Sequence, residues 1–391
     1  MKKPILDPVA LVEHLLAIPG KSGEESAAAD FIIAQMRAAG VPASAIASDA
    51  AHERSPFGGQ RGNLIVTLPA SQGRAREPRR LLMAHIDTVP ICIGCKPVTK
   101  QRVIRSADSA TGLGGDDRAG AAAILAALMT IVHHKLPHPP LTFLWCVQEE
   151  VGLMGARYVD QGKLGNPAMG FNFDGGKPSE LTIGATGAYR MAIHVTGVPA
   201  HAGVHPERGV SAITLAALAI ARLEREGWLG LVKKPFVRGS SNVGVIQGGQ
   251  ATNVVTESVF LRAECRAHDQ GLRKRILNAY IRSFEQACEH RHASTGAGGS
   301  VKFDISEDYE SFKLPRHSPV VRAGIKAAKA QRLRPTLRVS NGGLDANWMN
   351  AHGIPTVTFG VGQHEIHTTN EYLDLKEFKK GCGIALHVAT S

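Results

Sequence analysis

Apolar residues recur at helical spacing through the first forty positions, with Leu11, Leu15 and Ile18 followed by Phe31, Ile32 and Met36, so the stretch from Pro8 to Gly40 predicts helix. The pattern then changes to short continuous apolar runs. Asn63 to Leu68, Arg80 to His85 and Leu141 to Val147 read as buried strands, with a helix over Gly120 to Val132 between the second and third. Strands alternating with helices predict an α/β fold, a mixed and mostly parallel sheet flanked by helices.

After Gly187 the grammar changes. Tyr189 to Val195 alternates as a half-buried strand, Gly209 to Gly227 is helical, Ser241 to Gln247 and Val254 to Arg266 are strands, Gln270 to His290 is helical and Val301 to Ser306 is a strand. That β-α-β-β-α-β order predicts a ferredoxin-like layer of sheet and two helices. A helix over Val320 to Lys329 and a strand over Thr356 to Phe359 then resume the first alternation. The expected organisation is one domain from residues 1–186 and 311–391, interrupted by an inserted domain at 187–310.

Length agrees, because single cores stop growing near ~250–300 residues and this chain has 391. The longest apolar stretch, Ala119 to Val132, is shorter than the ~20 residues of a membrane span and reads as a buried helix. Met1, Lys2 and Lys3 are followed by Pro4 and Asp7, so no secretory signal develops and a cytoplasmic address is expected. Six cysteines in this setting predict reduced thiols. Cys92 and Cys95 form a lone C-x-x-C, half the ligand set of a structural zinc site. The net charge of +11 is scattered, with local density only at Arg74 to Arg80 and Arg273 to Arg275, which read as solvated surface; no nucleic-acid partner and no membrane are expected.

Candidate chemistry gathers at the ends of the apolar runs. His85 and Asp87 are two apart at a strand end and leave on the same face. Asp116 and Asp117 sit between a glycine-rich turn and the long helix, where either carboxylate also suits an N-cap. Glu149 and Glu150 close another run, and adjacent carboxylates there are costly unless they share a cation or proton. Phe171-Asn172-Phe173-Asp174 ends a further run, and His364 to Glu371 is polar and follows the last strand. Each piece alone reads equally well as a turn or a helix start. Together they describe one site at one edge of a sheet.

The ordered set H-I-D-T, G-G-D-D-R-A-G, E-E-V-G, N-F-D-G, A-H-A-G and H-T-T-N-E resembles the dinuclear zinc exopeptidases and amidohydrolases that include peptidase T, aminoacylase and carboxypeptidase G. The resemblance covers essentially the whole chain. It implies two divalent metal ions, with Asp116 bridging, His85 and Asp174 completing one site, and Glu150 and His367 the other. Asp87 would orient His85, and Glu149 would act as general base toward a metal-bridging hydroxide. The ligand set suits zinc, and cobalt or manganese as well.

The same resemblance implies that His201 of the insert stabilises the oxyanion from the partner subunit of a homodimer formed through the inserted domain. Asn253 and Arg266 would contact substrate, and Gly342, Gly343 and Asp345 would form a loop at the substrate end. Asp at position 174 and the doubled Asp116-Asp117 point to the peptidase T branch, hence an aminopeptidase of short peptides such as tripeptides. Cys92 to Cys95 departs from the family pattern close to His85. The competing expectations are a hydrolase of N-acyl amino acids or dipeptides, and a non-catalytic dimer that binds metal and peptide.

Overall fold

The computed structural model describes residues 7–289 and 293–391. The chain divides into two compact units, one of residues 1–184, 313–340 and 344–391, the other of residues 185–312 and 341–343.

The first unit is built on a nine-stranded mixed sheet. Its centre holds β1 (Leu64–Leu68), β2 (Arg80–His85), β3 (Leu141–Cys146), β4 (Met169–Phe173) and β5 (Thr356–Phe359), in the spatial order β1-β3-β2-β4-β5. β3, β2, β4 and β5 run parallel, and β1 is antiparallel to β3. These strands are continuous apolar runs because both faces are covered. Leu82, Ala84, Phe143 and Trp145 pack into the larger core, whereas Leu81, Met83, Leu144 and Cys146 point the other way into a smaller one with Ala156, Leu164 and Met349.

The larger core is centred on α1 (Gly115–His134), which carries the longest apolar stretch. The predicted N-terminal helix is two helices, Pro8–Leu16 and Ser26–Ala38, because Pro19-Gly20 breaks the pattern between them. The C-terminal helix Leu375–Thr390, which the sequence reading passed over, packs against α1. Among the described residues no helix is long and apolar enough to cross a membrane.

The second unit is a five-stranded antiparallel sheet with helices Ala212–Arg225 and Gln270–Glu289 against it. Strands Val237–Gly248, Ser258–Ala267, Gly187–Thr196 and Ser300–Tyr309 are adjacent in that order, the ferredoxin-like arrangement, and Gly230–Lys234 adds an edge strand that the pattern had not disclosed.

Both basic clusters correct the expectation of solvated surface. Arg74 pairs with Glu77 and donates to the Thr390 carbonyl at 2.6 Å, and Arg80 donates to that of Val388 at 2.7 Å, so the first cluster ties down the C-terminal helix. Arg273 is fully buried and paired with Glu310 at 2.5 Å. All six cysteines are free thiols, Cys92 and Cys95 both buried.

Candidate metal centre

Parallel strands deliver their carboxyl ends to one edge of the sheet. His85 is the last residue of β2; Glu149 and Glu150 follow β3, Asp174 follows β4, and the segment carrying His367 follows β5. Asp116 comes to the same edge from the N-terminus of α1. His85 Nε2 lies 3.1 Å from Asp116 Oδ1, while His367 Nε2 lies 3.2 Å from Asp116 Oδ2 and 2.9 Å from Glu150 Oε1. The two oxygens of Asp116 therefore face different histidines. Ligand atoms of His85, Asp116 and Glu150 lie within 4.8 Å of one another, as do those of His85, Asp117 and Asp174.

The helix start divides labour between the two aspartates. Asp116 and Asp117 have non-helical backbone angles, so regular helix begins at Arg118. Asp117 accepts the Gly120 amide at 2.9 Å, the bond of an N-cap residue, and also the Gln363 side chain at 2.6 Å and the His85 amide at 3.2 Å. The capping alternative thus holds for Asp117 and leaves the Asp116 oxygens for the histidines. Gly120 is required here, since a Cβ would run into the Phe173 carbonyl and the Asp117 carboxylate.

Asp87 has no solvent exposure and does more than touch His85. His85 Nδ1 is 3.2 Å from both the carbonyl and Oδ1 of Asp87, which places the ring proton on Nδ1 and leaves the Nε2 lone pair facing Asp116, as a candidate ligand. The same carboxylate accepts the amides of Glu149 at 3.0 Å and Glu150 at 3.1 Å, and the Ser22 hydroxyl at 2.6 Å.

The electrostatics are those of acids forced together. Burial pushes the Glu149 carboxyl well above the ordinary range, opposed by His85 and reinforced by Asp345, Asp174 and Glu150. Asp174 is raised in the same way, by burial and then by Asp116. Burial alone would raise Asp116 too, but hydrogen bonds from His367 and His85 outweigh it and hold it below the ordinary range. Hydrogen bonds to Asp116 and Glu150 push His367 up to about 10. Imidazole and carboxylate groups crowded together in this way are costly without shared positive charge, and the residues present fit divalent cations.

Several contributors lay outside the sequence expectation. Gln363 donates to the Gly115 carbonyl at 2.9 Å and to Asp117, and accepts the Gly175 amide at 2.6 Å, stitching three loops. Glu25 and Arg118 are buried behind Asp87, and burial followed by repulsion from Asp87 pushes Glu25 up to about 7. Asp345, which the resemblance had set with Gly342 and Gly343 at the substrate end, is buried against the Cys146 thiol, and burial pushes it up to about 7. Arg118 in an otherwise apolar helix was the available signal, and periodicity alone does not distinguish it from surface.

The remaining expected residues lie in the second unit. His201 is exposed, and its Nδ1 accepts the Gly203 amide at 3.2 Å. The Asn253 carbonyl accepts the Ala202 amide at 2.9 Å. Arg266 is held by Glu264 through two bonds of 2.9 Å, and lines a cavity of about 130 Å³ with Arg238, Ser240, Thr186 and Asn341. Gly342 and Gly343 belong to the same unit, where a Cβ at 343 would meet the Tyr309 ring.

The model of peptidase family M20/M25/M40 matches residues 81–391. The chain belongs to peptidase family M20/M25/M40. Family membership makes it a metallo-exopeptidase, and the M20 architecture recurs in solved relatives. A tripeptidase from Staphylococcus aureus subsp. aureus Mu50 superposes with a TM-score of 0.86 at 31% identity, over 98% of this chain and 97% of that one. Aminopeptidase PepT from Bacillus cereus ATCC 10987 gives 0.82 at 31% identity, with the same coverage. The uncharacterized protein YqjE of Bacillus subtilis strain 168 is 35% identical over 321 residues, 82% of this chain and 81% of its own length.

Proposed function

We propose that this M20 enzyme releases the N-terminal residue of short peptides, tripeptides among them, with two divalent cations held by His85, Asp116, Glu150, Asp174 and His367. The observation that carries the reading is the Asp116 carboxylate, whose two oxygens face two different histidines. Asp116 would be shared between the ions, with His85 and Asp174 on one side and Glu150 and His367 on the other. Zinc fits these imidazole and carboxylate donors, as do cobalt and manganese. Bound there, the ions would polarise the scissile carbonyl and acidify the attacking water.

The chain's own residues do the rest. Glu149 is half-buried beside the ligands, its backbone fixed by Asp87, and would take a proton from water and return it to the departing amine. A site that only bound metal would have no use for this additional carboxyl. In the insert, acceptance at Nδ1 leaves His201 with its proton on Nε2, a donor suited to a developing oxyanion. Under this proposal it acts as His201 of the partner subunit in a homodimer formed through the insert. Arg266, braced by Glu264, would take the free carboxylate of the peptide, with Asn253 and the Gly342-Gly343 turn beside the substrate.

The branch assignment leans on two solved relatives, the tripeptidase and aminopeptidase PepT. The cytoplasmic setting is part of the same proposal. The test is a panel of Ala-Ala-Ala, Ala-Ala and N-acetyl-Met, offered to metal-loaded and chelated protein. Release of alanine from the N-terminus of the tripeptide, abolished by chelation, is expected. Hydrolysis of N-acetyl-Met alone would move the protein to the amidohydrolase branch, and hydrolysis of Ala-Ala alone to the dipeptidases.

A further inference from the structure

Asp117 caps the helix itself through the Gly120 amide, but the turn before it, which carries Asp116, is left with backbone amides of its own. Gly114 in this turn has left-handed backbone angles and no side chain to offer the neighbouring amides. In this protein they are answered from the far end of the chain. Glu371 Oε2 accepts the amides of Leu113 at 2.9 Å and Gly114 at 2.7 Å, and Oε1 accepts the amide of Asp116 itself at 3.0 Å. The partners are 258, 257 and 255 residues apart in sequence. The carboxylate is only 2% exposed. The Cys92 thiol lies 3.7 Å from Oε2, which gives one member of the unexplained C-x-x-C pair a contact.

Glu371 also closes the loop that carries His367. Its amide donates to the Thr368 carbonyl at 3.3 Å, and the Thr368 hydroxyl donates to the Glu365 carbonyl at 2.7 Å. Directly after it, Tyr372–Asp374 pairs antiparallel with Val103–Ser106, so the residue is anchored by the strand that follows it. One buried carboxylate therefore joins the backbone that aims Asp116 to the backbone that aims His367.

We propose that Glu371 is a positioning residue that sets the mutual placement of Asp116 and His367 before any ion arrives. The role rests on the metal-site reading given above. Its two acceptor oxygens are as necessary as its shape. A carboxylate accepts on both oxygens, whereas in Glu371→Gln an NH2 would oppose either the Asp116 amide or the amides of Leu113 and Gly114. Neither outcome leaves the turn as it is.

The experiment is a Zn2+ titration of metal-free wild type and E371Q in competition with a chromophoric chelator, with the thermal transition of each metal-free protein recorded alongside. E371Q is expected to bind about 10–100-fold more weakly, the usual effect of removing a group that orients metal ligands, while still giving a cooperative transition. Affinity within twofold of wild type would overturn the role whatever happens to stability, because a merely structural residue lowers the transition without changing the affinity of the folded form. Wild-type protein that takes up no Zn2+ would overturn the metal site and this role with it, whereas wild-type uptake matched by E371Q would overturn this role alone. Should E371Q not fold, hydrogen exchange of wild type decides. Amides 113, 114 and 116 are expected to be protected already in the metal-free protein, and protection that arises only when Zn2+ is added would overturn pre-organisation.

Discussion

Replacing Asp87 by Asn tests how much of the site depends on a residue that touches neither ion nor substrate. In wild type, Oδ1 faces the Glu149 amide and His85 Nδ1, while Oδ2 accepts the Glu150 amide and the Ser22 hydroxyl. An asparagine has one acceptor oxygen. If that oxygen keeps the Oδ1 partners, the Ser22 hydroxyl can turn and accept, but the Glu150 amide is left facing an NH2. Burying one unsatisfied donor costs about 1–3 kcal/mol, which at about 1.4 kcal/mol per factor of ten is roughly 5–150-fold. If the side chain flips, the cost passes to the Glu149 amide and to the His85 tautomer, with the same order of loss. The assay is kcat/KM for tripeptide hydrolysis at saturating metal, beside the Zn2+ affinity of each protein. Ser22→Ala is the control, since it removes one donor without orphaning an amide, and should stay within a few-fold of wild type. D87N within twofold of wild type in both kcat/KM and affinity would refute the reasoning.

Gly120→Ala should destabilise the first unit by about 1–3 kcal/mol, the range for forcing an extra methyl group into packed surroundings, because the Cβ would run into the Phe173 carbonyl and the Asp117 carboxylate; denaturant melting that matches wild type would contradict it. The insert should weaken in acid. Burial alone would raise Glu310, but its ion pair with the buried Arg273 holds it below the ordinary 4.5, so its contribution is present above pH 4.5 and fades as the pH falls below that. Hydrogen exchange of insert peptides should show that loss in wild type and less of it in Glu310→Gln; equal pH dependence would count against the pair.

The strand ends were legible because the chemistry sits on the simplest pattern a chain can carry, continuous apolar runs that stop in His, Asp or Glu. β2, which stops at His85, was read at its observed bounds for that reason. The edge strand Gly230–Lys234 was missed because only Val232 is buried and four of its five residues have no core-facing periodicity to display. The choice between Asp116 and Asp117 was open in sequence, since an N-cap and a ligand call for the same side chain, and it took the Gly120 amide to separate them. Arg273 looked like surface because its burial depends on Glu310, in a strand connection that no local pattern links to it. Glu371 was visible as the last letter of H-T-T-N-E, yet its partners lie more than 250 residues away.

The central claim is tested most directly by Glu149→Gln, measured for Zn2+ content and for hydrolysis of Ala-Ala-Ala beside wild type with and without chelator. The account predicts that wild type loses activity on chelation and regains it with metal. It also predicts that E149Q keeps nearly the wild-type metal content while its kcat falls about 10²–10⁴-fold, the usual contribution of a general base. Metal-loaded E149Q turning over at the wild-type rate, or wild type indifferent to complete metal removal, would contradict it.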